Sequence, residues 1–265
     1  MSGAVHACLD PGDGPAFVTH RPSASAHALI VCDHASAGIP ARLDRLGLSE
    51  ERLGEHIAYD IGASRLALAL SERLDTAAVL SCFSRLVVDL NRFPDNPASI
   101  PEFSDGVRVP GNAGLDAEMR EARYRDVFWP YHRAVAARLD RLCAIAPDPL
   151  VIAVHTFTPR MSGGEARPWH VGVLSNEDRR VADPLIEALS GEAGLCVGDN
   201  EPYSAMEPLG YSMVTHCQDR ELPHALLEVR QDLVSDEGGV ALWAEILERA
   251  LRHPNIFPRY AEPAG

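Results

Sequence analysis

The chain of 265 residues has no CxxC pair among its six cysteines, no apolar run long enough to cross a bilayer, and no basic segment leading into an apolar one near its start. Each absence excludes something. Cysteines without paired spacing make neither a zinc knuckle nor a thioredoxin-like redox motif. Cys8, Cys32, Cys82, Cys143, Cys196 and Cys217 are scattered, mostly within apolar runs such as Leu29-Ile30-Val31-Cys32, so core thiols in a reducing compartment are expected. With neither a secretory segment nor a membrane span, the expected location is the cytoplasm. Positive charge is also scarce: 24 Lys+Arg against 38 Asp+Glu leave a formal net charge of −14. That field repels phosphate backbones and anionic lipids, so neither nucleic acid nor a membrane is an expected partner. The sequence has no GxSxG elbow and no Walker or dinucleotide glycine motif, which leaves serine-nucleophile and nucleotide-binding chemistry without support.

What is present is ordinary globular material, 46% hydrophobic and 23% charged, enough for one α/β domain. Residues 1–26, with Asp10-Pro11-Gly12-Asp13-Gly14-Pro15, read as an irregular lead-in; residues 27–255 read as the folded domain and 256–265 as a tail. Strands are expected at 27–32, 77–83, 85–90, 150–155, 171–174, 195–197, 211–215 and 225–229. Helices are expected at 55–74, 178–189 and 238–252, and at 116–145 with a break at Pro130. This alternation predicts a single domain with a central mixed, largely parallel sheet flanked by helices. Residues 91–115, rich in Pro, Gly and Asn, predict a long loop of the kind that carries function.

Several segments could carry chemistry. Two strands end in a histidine, at Asp33-His34-Ala35-Ser36 and at Val154-His155-Thr156, and the carboxyl edge of such a sheet is where ligands bind. His56 and Asp60 stand four residues apart in a helical pattern, close enough to share a cation or a proton; the plainer alternative pairs Asp60 with Arg65. Two histidines and a carboxylate brought together leave one metal position open to water, as in catalytic zinc. Glu228 lies in an apolar strand, Leu226-Leu227-Glu228-Val229, where burial raises a carboxyl pKa and suits it to act as a base; the plainer alternative is an ion pair with Arg230. Ser84 to Arg92 contains Arg85, Asn91 and Arg92, a local cationic cluster suited to a carboxylate, with Asp89 on the same strand face as Arg85 to orient it.

Taken in order, the segments Asp33-His34-Ala35, 56–63, 84–92, 155–159, Arg167-Pro168-Trp169, Asn200-Glu201-Pro202-Tyr203 and Glu228-Val229-Arg230-Gln231-Asp232 resemble the N-formylglutamate amidohydrolase family, over about residues 27–250. The resemblance implies a fold similar to zinc exopeptidases and phosphorylase/hydrolase-like proteins. It implies a divalent metal, zinc first among candidates, held by His34, Asp60 and His155, with Glu228 as the catalytic base. Asn91-Arg92 looks like the Asn-Arg element with which zinc carboxypeptidases hold a substrate carboxylate. The implied substrate is a small anionic N-acyl amino acid, N-formyl-L-glutamate in the histidine-degrading members. Those members tend to carry Pro-His-Ser-Gly where this chain has Asp33-His34-Ala35-Ser36-Ala37-Gly38, which leaves the acyl substrate open. Two other readings remain: a non-catalytic carboxylate-binding protein, and a metal-dependent peptidase or cell-wall amidase with a wide cleft.

Overall fold

The computed structural model describes residues 7–206, 210–257 and 260. Its strands are β1 (Phe17–His20), β2 (Ala28–Cys32), β3 (Ala77–Ser81), β4 (Phe103–Ser104), β5 (Val107–Arg108), β6 (Leu150–Phe157), β7 (Val171–Leu174), β8 (Val197–Asp199) and β9 (His224–Arg230). Its α-helices are α1 (Glu50–Leu53), α2 (Ala63–Arg73), α3 (Ala117–Arg123), α4 (Trp129–Cys143), α5 (Ala182–Ser190), α6 (Tyr211–His216) and α7 (Glu237–Leu251).

Seven strands form one sheet in the order β1-β3-β2-β6-β9-β7-β8. The central four, β3, β2, β6 and β9, run parallel. β1 is antiparallel to β3, and β7 is antiparallel to β9 with β8 parallel to β7. All residues of β2, β3, β6 and β7 are buried, as continuous apolar runs require when helices cover both faces. Alternation divides their side chains between two layers. Ala28, Ile30 and Cys32 of β2 with Leu150, Ile152 and Val154 of β6 pack under α2, α5 and α7, through residues such as Leu66, Leu70, Leu185, Trp243 and Leu247. Leu29, Val31, Val151 and Ala153 face the other way, against Tyr131, Val135 and Leu139 of α4 and Met213 of α6. Among the described residues no helix is long and apolar enough to cross a membrane, and all six cysteines are free.

The architecture is the mixed, largely parallel sheet that the alternation predicts, but several elements differ locally. β1 lies inside the stretch expected to be irregular and supplies the antiparallel edge strand. Residues 85–90 are a turn rather than a strand: the Ser84 Oγ accepts from Leu86 N and donates to Ala58 O, a side-chain bond that competes with strand pairing. Residues 211–215 belong to helix α6, whose buried Ser212, Met213 and His216 recur at helical spacing; the alternation of Tyr, Met and Thr mimics a strand. β8 is displaced two residues from the expected 195–197. The long helical pattern at 116–145 is divided into α3, a π-helical turn over Tyr124–Phe128 and α4. Pro130 falls in the first turn of α4, directly after the π turn that Trp129 N–H closes on Tyr124 O, so the helix widens next to the residue that cannot donate.

The helix expected at 55–74 is α2 alone, preceded by turns, and Gly62 accounts for the break. It holds φ of 87°, and a Cβ there would lie 2.5 Å from Val234 O, so a left-handed residue without a side chain stands between Asp60 and the helix. His56 and Asp60 therefore do not share a helical face.

Candidate active site

The three central strands β2, β6 and β9 end side by side, and each delivers an ionisable group to the same edge. Asp33 and His34 follow β2, and His155 and Glu228 are paired neighbours in the β6–β9 register. Asp60 is brought to them by its own backbone, whose N–H donates to His34 O at 3.0 Å. Arg85 arrives the same way, through its N–H to Ala58 O at 3.2 Å. The crowding of charged groups in a buried place is thus built from backbone hydrogen bonds, not from the ionic contacts alone.

Asp60 is the centre of the cluster. Its Oδ2 lies 2.8 Å from His155 Nδ1 and 3.4 Å from His34 Nδ1, while Oδ1 is 3.5 Å from an Arg85 nitrogen. His34 is held on its far side by Asp89, whose Oδ1 lies 2.8 Å from Nε2, while Asp33 Oδ2 stands 3.5 Å from His155 Nε2, an ionic contact in which neither atom makes a hydrogen bond. Asp89 also takes the Arg85 guanidinium at 2.7 Å, and Asp33 accepts hydroxyls from Tyr131 at 2.7 Å and Ser212 at 2.9 Å. A carboxylate only accepts, so Asp89 fixes the proton of His34 on Nε2 and leaves the Nδ1 lone pair facing Asp60.

His34 Nδ1 is buried without a hydrogen-bond partner. A lone pair opposite a carboxylate oxygen at 3.4 Å is repulsive unless a proton or cation lies between them. With the histidines neutral, Asp33, Asp60 and Asp89 against Arg85 leave two negative charges, which a divalent cation or a proton on each histidine would balance. His34, Asp60 and His155 form a buried group whose ligand atoms lie within 4.8 Å of one another and could hold a metal ion. Imidazoles whose far nitrogens are held by carboxylates are the usual outer support of such a centre. Burial and Arg85 oppose protonation of His34, but Asp89 and Asp60 outweigh them and raise its pKa. Burial likewise opposes ionisation of Asp60, yet His34 and His155 hold its carboxyl well below the usual range.

Glu228 stands at the edge of this cluster with Oε2 buried and without a hydrogen-bond partner. Burial pushes its carboxyl up to about 7, with His155 pulling against Asp60. Neither plainer pairing is made: Arg230 turns to Asp232 at 2.8 Å, and Arg65 donates to the carbonyls of Val234 and Ser235. His56 pairs with Asp105 at 2.9 Å instead of joining Asp60, and Asp105 also accepts from Ser162 N. A cavity of about 500 Å³ opens over the cluster, walled in part by Arg85, Asn91 and Arg92. Asn91 is anchored by its Oδ1 to Ser212 N at 3.2 Å. The Arg92 guanidinium carries no hydrogen bond or ion pair among the described residues.

Sequence reasoning missed Asp33, Tyr131 and Ser212, and it gave Asp89 only an arginine to orient. The signal for Asp33 was its place directly before His34 at a strand end. Tyr131 and Ser212 come from helices 98 and 179 residues away from Asp33, and nothing local announces them.

Behind Tyr131, a second histidine pair is structural. His132 Nε2 lies 2.9 Å from Leu90 O and must donate to it, so His132 Nδ1 accepts from His216 Nε2 at 3.0 Å. Burial, then His216, lowers the His132 pKa to about 3, and burial lowers His216 to about 4. Both are neutral in the fold and take protons below about 6.5 when unfolded. Stability from this pair is therefore complete above pH 6.5 and is lost as pH falls through that value toward 4 and 3. By pH 4.5 each costs about 3 kcal/mol. Urea unfolding at pH 7 and 4.5 measures the fall, and His216→Gln is expected to lessen it.

The profile of the N-formylglutamate amidohydrolase family matches residues 26–235. Among solved structures, gene product Atu2144 from Agrobacterium tumefaciens is similar, with 34% identity and a TM-score of 0.87 over 92% of this chain and 98% of that one. N-formylglutamate amidohydrolase from Ralstonia eutropha JMP134 shares the fold at 18% identity and a TM-score of 0.66, over 89% of this chain and 96% of that one. No curated protein matches.

Proposed function

The chain belongs to the N-formylglutamate amidohydrolase family, and from that premise we propose that it is a metal-dependent amidohydrolase cleaving N-formyl-L-glutamate or a related small N-acyl amino acid to the free amino acid and the carboxylic acid. One observation carries the reading: two buried histidines, each set between two carboxylates, meet on Asp60 beside a glutamate whose carboxyl burial pushes up to about 7. A purely carboxylate-binding protein needs the guanidinium but has no use for that arrangement.

His34, Asp60 and His155 are the residues that would hold the metal, zinc by the chemistry of a histidine and carboxylate set. Bound there, the metal supplies Lewis acidity toward the amide carbonyl and acidifies water. Glu228 Oε2 takes a proton from the attacking water and delivers it to the departing amide nitrogen. Its pKa near neutrality suits both transfers, since a carboxylate of ordinary pKa returns the proton poorly. Asp89 keeps the His34 imidazole in the required tautomer, and Asp33 lies against the far nitrogen of His155. Arg92, with Asn91 beside it, anchors the substrate carboxylate and fixes the amide over Glu228. Arg85, already shared between Asp60 and Asp89, acts on the cluster first and can contact substrate only through its remaining exposed edge.

The direct test is formate release from N-formyl-L-glutamate by purified protein, as isolated, after chelator stripping and after restoring zinc. Turnover is expected to fall at least a hundredfold on stripping and to return with metal. Activity that persists in protein verified free of metal would overturn the metal-dependent reading.

A further inference from the structure

The cavity has two unlike halves. One is the ionic cluster with Asn91 and Arg92; the other is walled by Leu174, Met213 and Leu226, with Pro202 and Ala205 at its side. The apolar wall is built into the sheet. Leu226 and Glu228 are two apart on β9 and face the same way, about 7 Å from each other along the strand. Leu174 of β7 is the register partner of Leu226, and Met213 of α6 packs in the same apolar layer. All three are almost fully buried yet border the open cavity.

The cations near the cavity are nearly all committed. Arg85 is bound by Asp60 and Asp89, and Arg230 by Asp232 and the carbonyls of residues 167–169. Arg167 is bound by Thr158 O and the Tyr203 hydroxyl, above the Tyr203 ring. His56 is spent on Asp105. Among the described residues lining the cavity, Arg92 is the one guanidinium without a side-chain hydrogen bond or ion pair. Gln218, a neutral amide, also lines the cavity. A glutamate derivative brings two carboxylates. One can take Arg92, and the other finds no second uncommitted cation: it would lie beside Asp60 and Glu228, among neutral donors such as Thr156, Thr158 and Gln218, or against leucine and methionine.

We infer that the cavity selects a monoanionic N-acyl amino acid carrying an apolar group, in place of the dianion N-formyl-L-glutamate. This rests on the hydrolase reading above and narrows its substrate class. The apolar group enters either as the amino acid side chain or as the acyl group, since both branch from the scissile amide.

The experiment compares kcat/KM of the zinc-loaded wild-type protein for N-formyl-L-leucine, N-isovaleryl-glycine and N-formyl-L-glutamate. A preference of tenfold or more for either monoanion over N-formyl-L-glutamate is the expected result, and whichever leads identifies the source of the apolar group. A smaller ratio, or preference for the glutamate compound, overturns the inference while leaving the hydrolase reading intact. If none is cleaved, the hydrolase reading fails for these substrates, and calorimetric affinities on the same protein decide the inference at the same tenfold threshold; absence of binding overturns it. Met213→Gln, close in shape but polar, is expected to cut the preference at least threefold, and an unchanged ratio would remove Met213 from the subsite.

Discussion

Glu228→Gln is expected to lower kcat by about a thousandfold, within the range a positioned general base and acid contributes, with the metal content unchanged. The variant should fold, because Glu228 Oε2 has no hydrogen-bond partner to lose and glutamine keeps the side-chain shape. It should also alter the pH dependence of stability in a definite direction. The Glu228 carboxyl rises from its ordinary 4.5 to about 7 through burial, so the fold binds its proton more tightly than the unfolded chain does. Its contribution is complete below pH 4.5 and is lost as pH rises through 7, so the variant gains on the wild type in that interval. In the rate profile the ionised form is the active one, so wild-type kcat/KM climbs with pH on an acid limb at or below 7; a cation in the neighbouring cluster favours the carboxylate and shifts the limb downward. The limb belongs to Glu228 and should vanish in the glutamine variant. Loss of turnover with an unchanged acid limb would place the base elsewhere.

Much of this site is legible in one dimension because strands deliver it. His34, His155 and Glu228 all sit at or just beyond strands that announce themselves as apolar runs, and a polar group ending such a run needs a reason wherever it occurs. Asp60 was found for a reason the structure does not support. Its helical spacing from His56 suggested a shared cation, whereas Gly62 delays the helix and His56 turns away to Asp105. What brings Asp60 to His34 is a backbone hydrogen bond between distant turns, and no periodicity encodes that. The strand expected over 85–90 fails similarly: its residues are as apolar as a strand, but the Ser84 hydroxyl satisfies the local backbone first. The apolar half of the cavity was invisible in sequence, since Leu174, Met213 and Leu226 read as ordinary core residues until register and helix placement bring them to one wall.

Asp60→Asn tests the centre of the cluster. Zinc bound by folded protein ligands is worth roughly 10–16 kcal/mol over about four of them, so losing one charged ligand should weaken binding by roughly 10²–10³-fold. Turnover should fall to background at metal concentrations that saturate the wild type. Asparagine keeps one oxygen for Thr156 N, and Arg85 retains its closer partner, Asp89 at 2.7 Å, so the fold has what it needs to persist. Asp33→Asn and Asp89→Asn should weaken metal binding less, by about 10–100-fold, since each acts through a histidine. They should also differ from one another. Asp33 Oδ1 accepts from Tyr131 and Ser212 while Oδ2 faces His155, so the amide there must accept two hydroxyls and still face an imidazole. Asp89 carries His34 and Arg85 together, and neutralising it leaves the half-buried guanidinium with Asp60 alone, next to the cation. Competition with a chromogenic chelator orders the three variants. Asp60→Asn with wild-type affinity would remove Asp60 from the ligand set, and the two histidines would then have to find their third partner in Glu228, at the expense of the base.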